Sequence, residues 1–389
     1  MAVPEAVLKA AFFSDCEDFS TPWTDFEPNQ GLPSWLRGSL LRNGCGRYST
    51  HAGGRLRHLF DGYGFLTRWD LDGPTGRFRC RGRFVSSASS QAVRCGRDGR
   101  ARQMEFAEFG TPPGRDGRRD ADGLAPWLGA WRSLLSGVTD NANVNFVRLC
   151  GHGPHDLDQW LALSEPCAAQ FAVDPETLIV DRSVGRPSSP PPLIGPLLQT
   201  AHPQWNSSLQ GLVNVATQLL PTPCYKITLT QSMAGELKTT TLAELPCGSL
   251  IPSWVHSFAL AGDFLVLVEM PCRYNFGAIM GFSELVLPPA SHVCMDWDAK
   301  SPTRVHVVPL RDPSSAVMHE LPPLFFFHVA QAAVKRDGAG PAKLLVDLCT
   351  YEDASILQAL SFDRILGRSE PLTGNSRLQR LELPLPGEP

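Results

Sequence analysis

The sequence predicts an all-β fold: short strand-like runs recur along the chain, turn formers are abundant, and helical periodicity is weak almost everywhere. The runs are RFRCRGRFV (77–85), WLALSE (160–165), YKITLT (225–230), FLVLVE (264–269), RVHVVPL (304–310) and KLLVDLC (343–349). Each is apolar or alternating over a strand's length. The 34 glycines and 34 prolines supply turns between them. Open antiparallel sheets leave edges that invite association, and a β-propeller removes them by closing a ring of sheets. A sandwich fits the same composition, and no clean internal repeat separates the two.

Helical spacing stands out only from Ala125 to Leu135 (APWLGAWRSLL), where Trp127, Leu128, Trp131, Leu134 and Leu135 share one face. Two stretches read as surface loops, 94–123 and GRPSSPPP at 185–192, and neither divides the 389 residues into domains. A net charge of -4 argues against a nucleic-acid partner, because neutralising phosphates takes a basic excess. The 11 cysteines are odd in number, scattered and free of Cys-x-x-Cys pairs, so reduced, intracellular thiols are expected rather than a disulfide framework or zinc ribbon. The N-terminus carries acidic residues where a signal or transit peptide would be basic, and no apolar run reaches membrane-spanning length. A soluble or surface-attached, non-secreted protein follows.

Of ten histidines, His202 (QTAHPQW), His256 (PSWVHSF) and His328 (FFFHVAQ) stand among apolar or aromatic neighbours. Buried imidazoles need a hydrogen bond or a metal. Pattern alone favours three separately satisfied core histidines over a shared metal site. His152 and His155 fall in the turn GHGPHD, and His51, His292, His306 and His319 sit in polar or mixed surroundings, where solvated rings are expected.

Several ordered motifs resemble those of the carotenoid cleavage oxygenases, the family that includes carotene-cleaving oxygenases and the retinal pigment epithelium retinoid isomerase. PSWLRGSLLRNGCGRY (33–48), RHLFDGYGFL (57–66), EFGTPP (108–113), TDNANVN (139–145), LSEP with DPETL (163–178), TAHP (200–203), PSWVHSFAL (252–260) and FFFHVAQA with LLVDLC (325–349) follow in the family's order. The resemblance implies a seven-bladed propeller with a small helical cap and one ferrous iron held by four histidines. His202, His256 and His328 match the first three ligands, and Glu165 matches a glutamate that accepts from a ligand imidazole's other nitrogen. Without the alignment, Glu165 reads as an exposed residue ending a strand. The resemblance further implies Fe(2+) as cofactor, O2 and a carotenoid or apocarotenoid as substrates, and cleavage of a polyene double bond to two carbonyl products.

In relatives the fourth histidine lies beyond the point where this sequence stops, so 1–389 is expected to be a single propeller domain lacking its last blades. Departures occur at Cys45, Tyr63, Gln331 and Val334, where relatives usually have proline, aspartate, asparagine and an acidic residue. His58 is not a ligand in the family pattern, and a structural role in closing the sheet is expected. Two alternatives stand beside the oxygenase: a degenerate fragment that at most binds an apolar polyene, and an isomerase-like iron enzyme. The segment from Ala125 to Leu135 is expected to contact a membrane peripherally or else to form an ordinary amphipathic cap. The expected compartment is cytoplasmic or plastid-associated.

Overall fold

The computed structural model describes residues 14–19, 23–27, 31–49, 55–56, 58–94, 139–151, 158–181, 195–233, 236–275, 295–336, 342–367 and 376–386. The expected helix at 125–135, the loop 185–192, nearly all of the loop 94–123 and the histidines at 51, 152, 155 and 292 lie outside the described residues. Two compact units divide the chain. The first comprises Met1–Glu105, Gly110–Arg148 and Asp158–Pro190; the second comprises Pro191–Pro389 with Phe106–Phe109 and Leu149–Leu157.

The first unit contains two four-stranded antiparallel sheets. One is ordered β1-β4-β3-β2, from β1 (Thr24–Phe26), β2 (Arg37–Arg47), β3 (Tyr63–Asp72) and β4 (Arg77–Phe84). A short helix α1 (Ala88–Arg94) follows, and β5 (Asn145–Leu149), β6 (Gln159–Leu163), β7 (Gln170–Val173) and β8 (Val180–Asp181) form the second sheet in chain order. Leu66, Val85, Ala142, Ala162 and Phe171 pack into one core cluster there.

Four of the sequence motifs meet in a buried polar network within this unit. Asn143 Nδ2 donates to the carbonyls of Phe60 (2.9 Å) and Gly62 (2.7 Å), and Asn141 Nδ2 donates to Gly62 (2.9 Å) while its oxygen accepts from Gly64 N–H (2.9 Å). Asn43 Nδ2 donates to the carbonyls of Ala142 and Asn145, and Ser164 Oγ reaches Asn143 Oδ1 at 3.3 Å. These amides satisfy carbonyls that would otherwise be buried unpaired. The close approach explains the glycines: a Cβ on Gly64 would lie 2.2 Å from the Ala142 carbonyl oxygen, and one on Gly62 would lie 2.4 Å from Cys45 Cβ. His58 is fully buried and caps the one-turn helix Leu59–Asp61, accepting from Phe60 N–H through Nδ1 at 3.2 Å. The ring therefore acts as a local cap.

The second unit opens with β9 (Pro196–Gln199), β10 (Gln204–Asn206), β11 (Gly211–Gln218), β12 (Cys224–Met233) and β13 (Glu236–Pro246), ordered β10-β11-β12-β13 with β9 also pairing β11. Next come β14 (Ala259–Ala261) and β15 (Phe264–Glu269), the ribbon of β16 (Cys272–Tyr274) and β17 (Met295–Trp297), then β18 (Thr303–Pro309) and β19 (Val317–Leu321). The larger of these sheets is ordered β14-β15-β18-β19. Finally β20 (Phe325–Lys335), β21 (Lys343–Tyr351) and β22 (Arg377–Pro384) make a three-stranded sheet, with the short helices α2 (Ser355–Ala359) and α3 (Phe362–Ile365) between the last two.

The predicted strands are all present, and FLVLVE falls residue for residue on β15. Every residue of β11 is buried, as expected of a central strand covered on both faces. Val213, Tyr225, Ile227, Leu265 and Leu267 anchor a core cluster that also takes in Val255 and Phe258. Burying each large side chain is worth about 1.5–3 kcal/mol. Because Val255 and Phe258 bracket His256, the core itself holds the loop that carries this imidazole.

Two expectations are corrected. His306 is not solvated: it lies on β18 with its side chain 13% exposed, and its Nε2 is 3.2 Å from the buried Glu269 carboxylate. Burial opposes the charge on Glu269, yet the His306 ring and Gly248 N–H hold its carboxyl below the usual carboxylate range. His319 on β19 is also withdrawn from solvent, with a buried Nε2. Strand pairing sets His306 on the same face as Glu269 of the adjacent strand, a partner its place in the sequence did not indicate.

Candidate metal centre

The three singled-out histidines come together in the second unit. Their ligand nitrogens all lie within 4.8 Å of one another. His202 Nε2 and His256 Nε2 are 3.2 Å apart, and His256 Nε2 and His328 Nε2 are 3.3 Å apart. The ring centroids are separated by 4.8, 4.9 and 5.0 Å, with interplanar angles of 70–84° that turn the ring edges toward a common point. His256 is buried, His202 half-buried and His328 exposed, so only one ring has the burial that its apolar sequence neighbours suggested for all three.

Each ring is delivered by a different local device. The TAHP segment joins β9 to β10, which both pair with β11 but at opposite ends, so residues 200–203 must detour past the middle of that strand. Thr200 pins the detour. Its N–H donates to the Val215 carbonyl, its hydroxyl to Asn214 Oδ1 at 2.5 Å, and its carbonyl accepts from Asn214 Nδ2 at 3.0 Å. His202 N–H then closes on Thr200 Oγ1 at 3.3 Å.

His256 sits between β13 and β14. Trp254 N–H donates to the Cys272 carbonyl and Ser253 N–H to the Tyr225 hydroxyl at 2.7 Å, fixing the approach to the ring. His328 lies on β20 at a β-bulge, where the pairing with β21 slips between Phe326 and Val329 and again before Gln331. A bulge turns a side chain away from strict alternation. Here it lets Phe325 and Phe327 pack together at 5.1 Å while His328 turns to the other imidazoles.

Hydrogen bonds tie the three segments to one another. Gln204 Nε2 donates to the Phe258 carbonyl at 2.6 Å, linking the first to the second, and Ser257 Oγ donates to the Phe327 carbonyl at 2.5 Å, linking the second to the third. Sequence reasoning missed both, although each polar residue stands within two positions of a histidine inside an apolar run. Trp254, Phe325, Phe327 and Tyr351 back the cluster with ring contacts: Trp254 lies 5.4 Å and Phe327 5.8 Å from His256, and Tyr351 lies 5.7 Å from Phe327.

Burial, followed by the charges of the neighbouring imidazoles, pushes His202 down to about 3; desolvation and His256 push His328 down to about 4. Both rings are therefore neutral near pH 7, the form that offers a lone pair to a metal. Nitrogens bound at about 2.1 Å to one ion and at right angles are about 3 Å apart, close to the observed spacings. The donor set thus fits a divalent cation. The described cluster is all imidazole, without a carboxylate, a set suited to iron, zinc, copper or nickel.

Glu165 lies in the first unit, immediately after β6, in the turn closed by Ser164 N–H to Ala169 O and Ala169 N–H to Pro166 O. It is 7% exposed. This differs from the exposed strand-end reading that the sequence alone favours. Among the described residues no helix is long and apolar enough to cross a membrane.

The family model described as "Retinal pigment epithelial membrane protein" matches residues 18–389. Among curated proteins, "Carotenoid cleavage dioxygenase 8 homolog A, chloroplastic" of Oryza sativa subsp. japonica is 30% identical over 382 residues, covering 94% of this chain and 62% of its own length. The chain spans about three fifths of the length of the first curated relatives it matches, 62%, 58% and 59%. Among solved structures, a mutant of the Synechocystis apocarotenoid oxygenase aligns with TM-score 0.66 at 19% identity, over 98% of this chain and 71% of the other. The cobalt-substituted form of that oxygenase aligns with TM-score 0.61 at 20% identity, over 90% of this chain and 64% of the other. The fold of these enzymes is shared.

Proposed function

Because the chain belongs to the retinal pigment epithelial membrane protein family, we propose that it carries the metal centre of an iron(II)-dependent oxygenase that cleaves a double bond of a carotenoid or apocarotenoid with O2, giving aldehyde or ketone products. The observation that carries this reading is the convergence of His202, His256 and His328, far apart in sequence, on one point with their Nε2 atoms foremost. Named carotenoid-cleaving relatives across plants and animals support the substrate class.

His202, His256 and His328 would hold the ion. When bound, ferrous iron would activate O2 for reaction with an alkene, whose own electrons reduce the O2 as the two carbonyls form. The His202 and His328 imidazoles remain neutral and ready to bind at pH 7, since they take up protons only near pH 3 to 4. Trp254, Phe325 and Phe327 give the site a dry, apolar backing, which matches a polyene that offers nothing to hydrogen-bond. Oxidative cleavage of such a substrate asks for no side-chain acid or base, in keeping with an all-imidazole cluster.

Glu165 is assigned the role its family match implies, accepting from the second nitrogen of a ligand imidazole. The successive antiparallel sheets are assigned as some of the blades of the family's seven-bladed propeller, and the segment from Ala125 to Leu135 as a peripheral membrane contact. The chloroplastic relatives make a plastid the first compartment to test. The chain, expressed with Fe(II), is to be assayed for iron per chain and for aldehydes from a panel of carotenoids and apocarotenoids. Near-stoichiometric iron that disappears in His256→Ala supports the reading. Iron content unaffected by that substitution sinks it.

A further inference from the structure

We infer that Ser257 and the chain of Gln331, Asp347 and Arg380 are positioning residues that hold His328 over the β20 bulge, an inference that rests on the metal centre proposed above. His328 is the exposed member of the cluster and stands on a strand whose pairing slips on both sides of Val329. A bulge of this kind leaves ladder hydrogen bonds unmade and the bulged residue locally free. A ring so placed does not hold its Nε2 at 3.3 Å from that of His256 unless the backbone around it is fastened by something else.

Two fastenings flank it. Upstream, the hydroxyl of Ser257 donates to the carbonyl of Phe327, the residue before His328, at 2.5 Å; Ser257 is 4% exposed and follows His256 directly. One short hydrogen bond therefore couples the backbones of two ligand segments. Downstream, Gln331 is the first residue at which the β20–β21 register resumes, directly opposite Asp347, which in turn stands opposite Arg380 on β22.

The side chains repeat that register. Gln331 Nε2 donates to Asp347 Oδ2 at 2.6 Å, and Arg380 grips both oxygens through Nε at 2.7 Å and Nη2 at 2.8 Å. A two-pronged guanidinium fixes the carboxylate's plane, and the carboxylate fixes Gln331. The sheet's three strands are thus stapled at the bulge's end. The length of the Gln331 side chain lets its amide span to Asp347.

Loss of either fastening should leave the fold intact and loosen His328, so the readout must be metal binding rather than stability. The full chain is titrated with Co(II), whose visible absorption reports the number and geometry of its ligands, in the parent and in Ser257→Ala, Ser257→Thr, Gln331→Leu and Lys343→Met. Lys343→Met removes an exposed cross-strand pair with Glu382 on the same sheet and serves as the control for general loosening. The expected result is Co(II) affinity about 10-fold weaker in Ser257→Ala and Gln331→Leu, the lower end of what losing an outer hydrogen-bond partner does, with a changed absorption spectrum. Ser257→Thr, which keeps the hydroxyl, and Lys343→Met should match the parent.

Unchanged affinity and spectrum in Ser257→Ala and Gln331→Leu overturn the inference, whatever happens to their melting temperatures. Equal weakening in Lys343→Met does so too, because it makes the effect one of sheet stability. Parent protein that takes up no Co(II), or takes it up equally in His328→Ala, fails at an earlier point: it removes the metal centre itself. Gln331 and Lys343 are at the surface, so their variants remain readable even if Ser257→Ala folds poorly.

Discussion

The two units each hold a cluster of polar side chains, and the clusters are built on opposite principles. In the first unit Asn43, Asn141 and Asn143 offer amide donors to backbone carbonyls and an acceptor to Gly64 N–H, so donor meets acceptor throughout. In the second, three imidazoles present the same kind of nitrogen to one another at 3.2 and 3.3 Å. One network is complete within the protein. The other brings together lone pairs that a shared cation would satisfy. Matched donors and acceptors mark a structural cluster, whereas converging like atoms mark a binding site.

The sharpest way to break this comparison is to remove one imidazole. His256→Ala is expected to weaken metal affinity by more than the ~100-fold that an outer partner can cost, with little loss of fold, as read by metal titration and circular dichroism. Retained affinity would mean that the convergence is structural after all.

Gly64→Ala should have the reverse signature. Its new Cβ meets the Ala142 carbonyl oxygen at 2.2 Å, so denaturant unfolding should report destabilisation of about 3 kcal/mol. A neutral result would show that the asparagine network can relax. Glu165→Gln belongs between the two: folded, with metal retention down about 10-fold to 100-fold if it accepts from a ligand imidazole. Full retention, measured as metal per chain after dialysis, would return it to a structural role.

The smallest expected effect is on pH dependence. His202 and His328 are held near 3 and 4 in the folded chain, below the usual imidazole value of 6.5. Between those values and 6.5 the unfolded chain binds more protons, so the metal-free protein should gain stability as pH rises through this window and level off above it. Melting temperatures at pH 5 and 7 measure the slope, and His202→Gln should flatten it. An equal slope in the variant would place the titrating groups elsewhere.

Much of this was legible in the residues. The strand at 264–269 was readable because a run of apolar, β-favouring residues ended at turn formers, and the three histidines because apolar neighbours set them apart from the other seven. His306 was misread because its partner is not a sequence neighbour: strand pairing brings it to Glu269, 37 positions away. Glu165 reads as a strand's exposed end until the fold buries it.

By itself the sequence determined the β-rich class and the identity of the converging side chains, because periodicity and residue chemistry are local properties. Whether those imidazoles share a point was a matter for the tertiary structure alone. It depends on a detour past β11, a loop held by Val255 and Phe258 in the core, and a slipped register on β20, all of them relations between residues tens of positions apart. No local pattern encodes a register slip. It arises when two strands pair under the demands of a common core, and here it decides where His328 points.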